Sequence, residues 1–122
     1  TTLFRSLGLH VPHLAHHVQE LGLGDHLVLV GVDAVGLDET VDPAWADAML
    51  PPGMPVQGNL DPIMVVAGGE AMEREATRIL DKLGHGSYVF NLGHGVHPDT
   101  DPAVLGRLVE LVHERTAAEV TV

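Results

Sequence analysis

Cysteine is absent from the 122-residue sequence. Its absence excludes disulfides, thiolate metal ligands and a cysteine nucleophile, and it suits a reducing compartment. Aromatic residues make up only 3%, so stacking platforms for bases and aromatic cages are not expected. Positive charge is scarce too. Six Lys+Arg stand against 17 Asp+Glu, a formal charge of −11, and phosphate binding needs clustered cations that release counterions. The same deficit disfavours an anionic membrane surface. Long apolar runs are also missing. The longest, Leu27 to Val32, is far too short to span a bilayer, and nothing near Thr1 has the pattern of a secretory signal. These deficits predict a cytoplasmic protein with neither nucleic acid nor membrane as partner.

What is present can build a core. Hydrophobic residues make up 45%, enough buried surface to offset the chain entropy of one small domain over 1–122. From residue 33 onward one plan occurs three times: a short β-rich run, a loop rich in Gly, Asn and Asp, then Asp-Pro. The runs are Ala34–Leu37, Pro55–Gly58 and Tyr88–Leu92, and the dipeptides are Asp42-Pro43, Asp61-Pro62 and Asp101-Pro102. Asp accepts hydrogen bonds from the first free N–H groups of a helix, and Pro lacks the N–H that would go unpaired there, so each dipeptide predicts a helix start.

The predicted helices are Pro43 to Met49, one from Pro62 or Ala67 to Leu83, and Pro102 to about Arg115. The second carries Met72, Ala76, Ile79, Leu80 and Leu83 on one stripe and meets Gly84 at its end. The third aligns Leu105, Leu108, Val109 and Val112 at helical spacing. Strands alternating with single helices predict an α/β fold with a parallel sheet and right-handed crossovers. Before residue 31 the pattern is different. Val11, Leu14, Ala15, Val18 and Leu21 predict a helix, and Leu27–Val30 a buried strand.

In repeated βα units the loops after the strands form the ligand face. Three polar segments fall there: Gly36–Thr40, Gln57–Pro62 and Asn91–Gly95. His94 lies between two glycines, where bare backbone lets an imidazole approach a ligand closely; on the motif alone the plainer reading is a solvated loop residue. Asp38 could orient a ligand or a histidine, or cap its own turn. Gln57 and Asn59 alternate as on a strand and could bind a ligand's polar edge or tie loops together. Asp61 is explained by its helix. His10, His13, His16 and His17 have spacings that two or more could use to share a cation, but the acids to complete a metal site are missing apart from Glu20, so no metal is expected.

The stretch from Gly31 to about Glu114 resembles the C-terminal part of uroporphyrinogen decarboxylase. The likeness is carried by Gly36-Leu37-Asp38 with Thr40-Val41-Asp42-Pro43, by Val56-Gln57-Gly58-Asn59-Leu60-Asp61-Pro62, and by Asn91-Leu92-Gly93-His94-Gly95 with Pro98 and Asp101-Pro102. It implies the last units of a (β/α)₈ TIM barrel. It also implies a carboxy-lyase of haem and porphyrin biosynthesis, which removes carboxyl groups from the four acetate side chains of uroporphyrinogen III to give coproporphyrinogen III. The family is cofactor-free and typically a homodimer. Its motif histidine, matching His94, lies at the substrate cleft, and Asn59, Gln57 and Asp38 are the further substrate-binding candidates for the tetrapyrrole.

The family's N-terminal arginine motif and the aspartate that holds the pyrrole N–H groups belong to earlier barrel units and have no counterpart here. A complete barrel takes roughly 250 residues, so a partial barrel, inactive alone, is expected for 31–122. Residues 1–30 are expected to depart from the family; Val11 to Val30 is loosely similar to part of a corrinoid-binding flavodoxin-like domain. Two other readings stand beside the decarboxylase. One is a non-catalytic, self-associating barrel fragment whose open sheet edge drives homo-oligomer formation. The other is a corrinoid-linked methyltransferase of the same superfamily, which the lack of cysteine disfavours because its zinc site looks for thiolates.

Overall fold

A computed structural model describes residues 14–15 and 33–117. In chain order the elements are β1 (Leu14–Ala15), β2 (Ala34–Gly36), α1 (Pro43–Met49), β3 (Val56–Leu60), α2 (Pro62–Ala67), α3 (Gly69–Leu83), β4 (Tyr88–Leu92) and α4 (Pro102–Ala117). The strands form one parallel sheet in the order β1-β2-β3-β4. A sequential order has no reversal point of the kind a doubly wound sheet contains. Right-handed crossovers between sequential neighbours place successive helices on the same face, and contacts do run from α1 to α3 to α4. The architecture is α/β, a parallel sheet whose strands alternate with helices.

The three Asp-Pro signals act as their chemistry predicts. Asp42 Oδ1 accepts from Ala44 N at 3.0 Å, Asp61 Oδ1 from Ile63 N at 2.9 Å and Asp101 Oδ1 from Ala103 N at 2.9 Å. Each proline follows as the first helical residue. Helix α1 has the predicted bounds. The single helix expected from Pro62 or Ala67 to Leu83 is instead two: Gly68, at φ 64°, closes α2 by donating to Met64 O and opens α3. A positive φ suits glycine at a helix end and breaks the α-helical path there.

The expected α3 stripe is buried in full: Met72, Ala76, Ile79, Leu80 and Leu83. On α4, Leu108 is buried and Leu105 and Val112 pack against the core. Val109 is exposed, and Leu111 takes the buried place instead. Glu73 of α3 and Arg107 of α4 form an ion pair at 2.6 Å between the two helices. One core joins Val35, Val56 and Leu60 of the sheet to Ala46, Val65, Ile79 and Leu108 of the helices.

The predicted helix from Val11 to Leu21 is corrected at the two residues described there. Leu14 and Ala15 pair in parallel with Ala34 and Val35. The N–H and C=O groups of β2 need a ladder partner on that side, and adjacent apolar residues serve a strand as well as a helix turn, so periodicity alone could not decide. The predicted strand Leu27–Val30 and the histidines at 10, 13, 16 and 17 lie outside the described residues.

Candidate functional site

The loops that follow β2, β3 and β4 meet at the C-terminal end of the sheet. Leu37 leaves β2 while still donating to Gln57 O at 2.8 Å, which holds the next loop beside β3. Asp38 then shapes its own turn: Oδ1 accepts from Thr40 N at 2.9 Å and from the Thr40 hydroxyl. Asn59 of β3 lies beneath, 4% exposed. Its Nδ2 donates to the main-chain carbonyls of Asp38, at 3.1 Å, and Val41, at 2.6 Å. An amide spent this way pins a loop, since removing it leaves main-chain carbonyls without a donor, at about 1–3 kcal/mol for a buried group.

Gly93 closes the cluster from the other side. Its N–H donates to Leu60 O at 2.8 Å, extending the β3–β4 ladder by one bond. A Cβ here would run into the main-chain nitrogen of Glu39 and lie 2.8 Å from the carbonyl carbon of Asp38. Only a glycine lets the loop after β4 lie this close to residues 38 and 39, and that approach delivers the next side chain. His94 Nδ1 lies 2.6 Å from Glu39 Oε2.

The carboxylate holds the His94 imidazole protonated above its usual range. The hydrogen bond to Glu39 is the main cause, followed by the charge of Glu39; desolvation opposes them, and Asp38 adds a further negative charge. A raised histidine value means that the pair's contribution to stability is full below the ordinary value of about 6.5. It fades as pH rises through the raised one.

The four sequence-derived candidates are thus distributed unevenly. Asp38, Asn59 and His94 share one cluster, while Gln57 stands two residues earlier on β3, half-buried, its main chain paired with Gly36. Glu39 was not among them. Its partner stands 55 residues away, and no local spacing reports such a contact. Asp61 is a helix cap, as its dipeptide predicts. His97 turns inward on its own loop, with Nδ1 accepting from Asp99 N at 3.1 Å. Among the described residues no three His, Asp or Glu side chains group as a metal site, and no helix is long and apolar enough to cross a membrane.

From Gly93, His94 and Gly95 a groove of about 570 Å³ runs between β4 and α4, walled by Phe90, Leu92, Leu105, Leu108, Val109 and Val112. The site therefore couples a polar, ion-paired end to an apolar channel. The three loops bring no lysine or arginine to it: none occurs in 33–42, 57–62 or 91–101. Chemically, the arrangement offers an imidazole held through Nδ1 by Glu39, which favours its charged form, and such a ring can exchange a proton near neutral pH.

Comparison with known proteins gives one family. The sequence model described as uroporphyrinogen decarboxylase (URO-D) matches residues 2–115. Curated proteins named uroporphyrinogen decarboxylase are similar to this chain: 56% identity in Sphingopyxis alaskensis, 55% in Erythrobacter litoralis and 54% in Rhodospirillum rubrum. Each match extends over 82 residues, 67% of this chain and 24% of the relative. The chain thus spans about a quarter of the length of the curated relatives it matches. The family model's match begins at residue 2, ahead of the first Asp-Pro unit.

Proposed function

Because the chain belongs to the uroporphyrinogen decarboxylase family, we propose that its strand-end loops form part of the tetrapyrrole site of a decarboxylase acting on uroporphyrinogen. The observation that carries this reading is His94, exposed at the end of β4 within Asn-Leu-Gly-His-Gly and ion-paired to Glu39. Loss of carbon dioxide from a pyrrole acetate requires the ring to be protonated first, so that it can accept the electron pair of the breaking C–C bond. A proton must then return to the new methylene carbon, and the ring gives up the proton it first took, which restores the pyrrole. An imidazole whose charged form Glu39 favours suits the accompanying task of attracting a substrate carboxylate. Asp38 and Asn59 support that histidine by shaping the loop that carries Glu39, and Gln57 offers an amide at the adjoining strand.

The test places residues 33–117 of this chain in the Sphingopyxis alaskensis relative and follows formation of coproporphyrinogen. The chimera should turn over, and His94→Asn in it should lower kcat/KM roughly ten- to hundredfold, the worth of one charged hydrogen bond, without lowering the unfolding midpoint. An unchanged rate makes His94 an ordinary loop residue.

The edge of β4 supports a second reading, in which copies of the chain associate. Among the described residues β4 is the end strand of the sheet, and a sheet edge beside an apolar groove is a template for another strand. Sedimentation at tens of micromolar should show species larger than the 13.0 kDa monomer. A single monomeric boundary rules this out.

A further inference from the structure

We propose that two copies of this chain join about a twofold axis beside β4, the strand edges pairing antiparallel and the two α4 helices packing through Leu105, Val109 and Val112. The inference rests on the reading in which copies associate, and it names the surface, the symmetry and the number of copies. None of the five residues of β4 is buried, whereas Val56, Gly58, Asn59 and Leu60 of β3 all are. Yet β4 reads Tyr-Val-Phe-Asn-Leu, the nearly continuous apolar run of a parallel strand covered on both sides. It has no charge and no proline, the devices that blunt an exposed edge.

Helix α4 repeats the pattern. Val104, Leu108 and Leu111 form one apolar stripe at i, i+4, i+7 spacing, with Leu108 and Leu111 buried. Leu105, Val109 and Val112 form a second at the same spacing. This one lines the groove, and Val109 is 52% exposed. The two stripes cover a wider arc than contact with α3 and the sheet uses. Gly106 stands one turn before Val109, in the interior of α4. Glycine is the poorest helix former after proline, and a Cβ there would meet nothing within 4 Å. No contact among the described residues calls for a bare backbone at this position, whereas a second helix crossing closely does.

Charge and shape set the occupant. At a formal −11, two copies repel over most of their surface, but β4 and the second α4 stripe bring no carboxylate to their contact. The face is also composite. A lone peptide would pair with the strand edge and a lone helix would fill the groove, but a copy turned about an axis normal to the sheet offers both at once. Strand and helix keep the same spacing in each copy, and antiparallel pairing of β4 with itself leaves both α4 helices on one side of the joined sheet. The contact is small. β4 is only about 17 Å long and the stripe covers two turns of helix, so the area falls below that of a standard interface and the dimer dissociates in the micromolar range.

The test is sedimentation velocity of the full 122-residue chain across the micromolar range. Wild type should pass in one step from 13.0 kDa to twice that mass, because a twofold contact closes at two copies. Val109→Glu sets like charges against each other across the axis, and Gly106→Leu obstructs the close approach; each should weaken association at least about tenfold. Ile63→Glu, at an exposed position of α2, should leave it unchanged. Gly106→Leu also strengthens α4 as a helix, so the urea midpoint of its dilute monomer should hold or rise while its association falls, which separates the contact from folding. A wild-type dimer that either α4 variant leaves intact overturns the proposal while copies still associate through another surface. Equal weakening by Ile63→Glu overturns it too, since added charge alone would then separate the copies. Species growing beyond two copies overturn the twofold pairing, and a monomer at every concentration removes both the proposal and the association reading.

Discussion

Alanine in place of Gly58 is expected to lower the unfolding free energy by about 3 kcal/mol or more, through strain and overpacking acting together. Gly58 lies within β3 at φ 135°, a backbone region that L side chains rarely adopt. A Cβ there would also be driven into the main-chain carbonyl oxygen of Leu37. That oxygen cannot swing aside cheaply. Leu37 N–H is bound to Gln57 O at 2.8 Å, and Val35 N–H to Pro55 O at 2.9 Å, so β2 and β3 are laced together up to the clash.

From β4 the hydroxyl of Tyr88 donates to Gly58 O, which holds the same residue from the opposite edge. Burial pushes that phenol well above its usual range, so it stays a neutral donor through neutral pH. Relief of the clash must therefore open the centre of the sheet. Urea unfolding should show a much lower midpoint with little change in slope. A loss below about 1 kcal/mol, within the range of an ordinary point substitution, would mean that β2 and β3 slide freely past each other.

The positions of the elements follow from local chemistry that the sequence displays. Asp42, Asp61 and Asp101 cap helices because an aspartate followed by proline satisfies the helix start wherever it occurs. The buried stripe of α3 follows from its 3.6-residue period. The break at Gly68 was less visible, because Gly68-Gly69 sits inside an otherwise continuous apolar pattern and only the positive φ of Gly68 makes it a boundary. Leu111 displaced Val109 from the expected face of α4 because burial there is decided by what α4 packs against, which one helix's period does not contain.

The site was legible to the extent that its parts are local. His94 between glycines and Asp38 at a strand end are visible as residues in a loop. The alternative offered for Asn59, that it ties loops together, describes its bonds to Asp38 and Val41. Glu39 was hidden for a different reason. Its significance comes from Gly93, whose missing side chain allows two loops far apart in sequence to touch, and a contact that depends on an atom not being there leaves no motif at the partner.

Ile79→Ala is expected to cost about 2–5 kcal/mol, the range for emptying a buried aliphatic site. The substitution separates packing from helix formation. Ile79 sits in the interior of α3, and alanine is the better helix former there, so any intrinsic effect favours the variant and the whole loss must come from the core. Ile79 is 1% exposed and belongs to the cluster that joins the sheet, through Val56 and Leu60, to α1 and α4, through Ala46 and Leu108.

Such a site collapses poorly, because its neighbours are fixed by the β2–β3 ladder on one side and by Asp-Pro-capped helices on the other. Ile79→Val, which removes one methylene, should cost about 0.5–1.5 kcal/mol, and Val109→Ala, exposed on α4, should stay within about 0.5 kcal/mol of wild type. The three are compared by urea midpoint at constant slope. That order, with Ile79→Ala far below the other two, follows only if α3 is the helix that seals the βα units into one core. If Val109→Ala matched Ile79→Ala, the groove between β4 and α4 would be filled in solution, and the stability of the chain would depend on whatever occupies it.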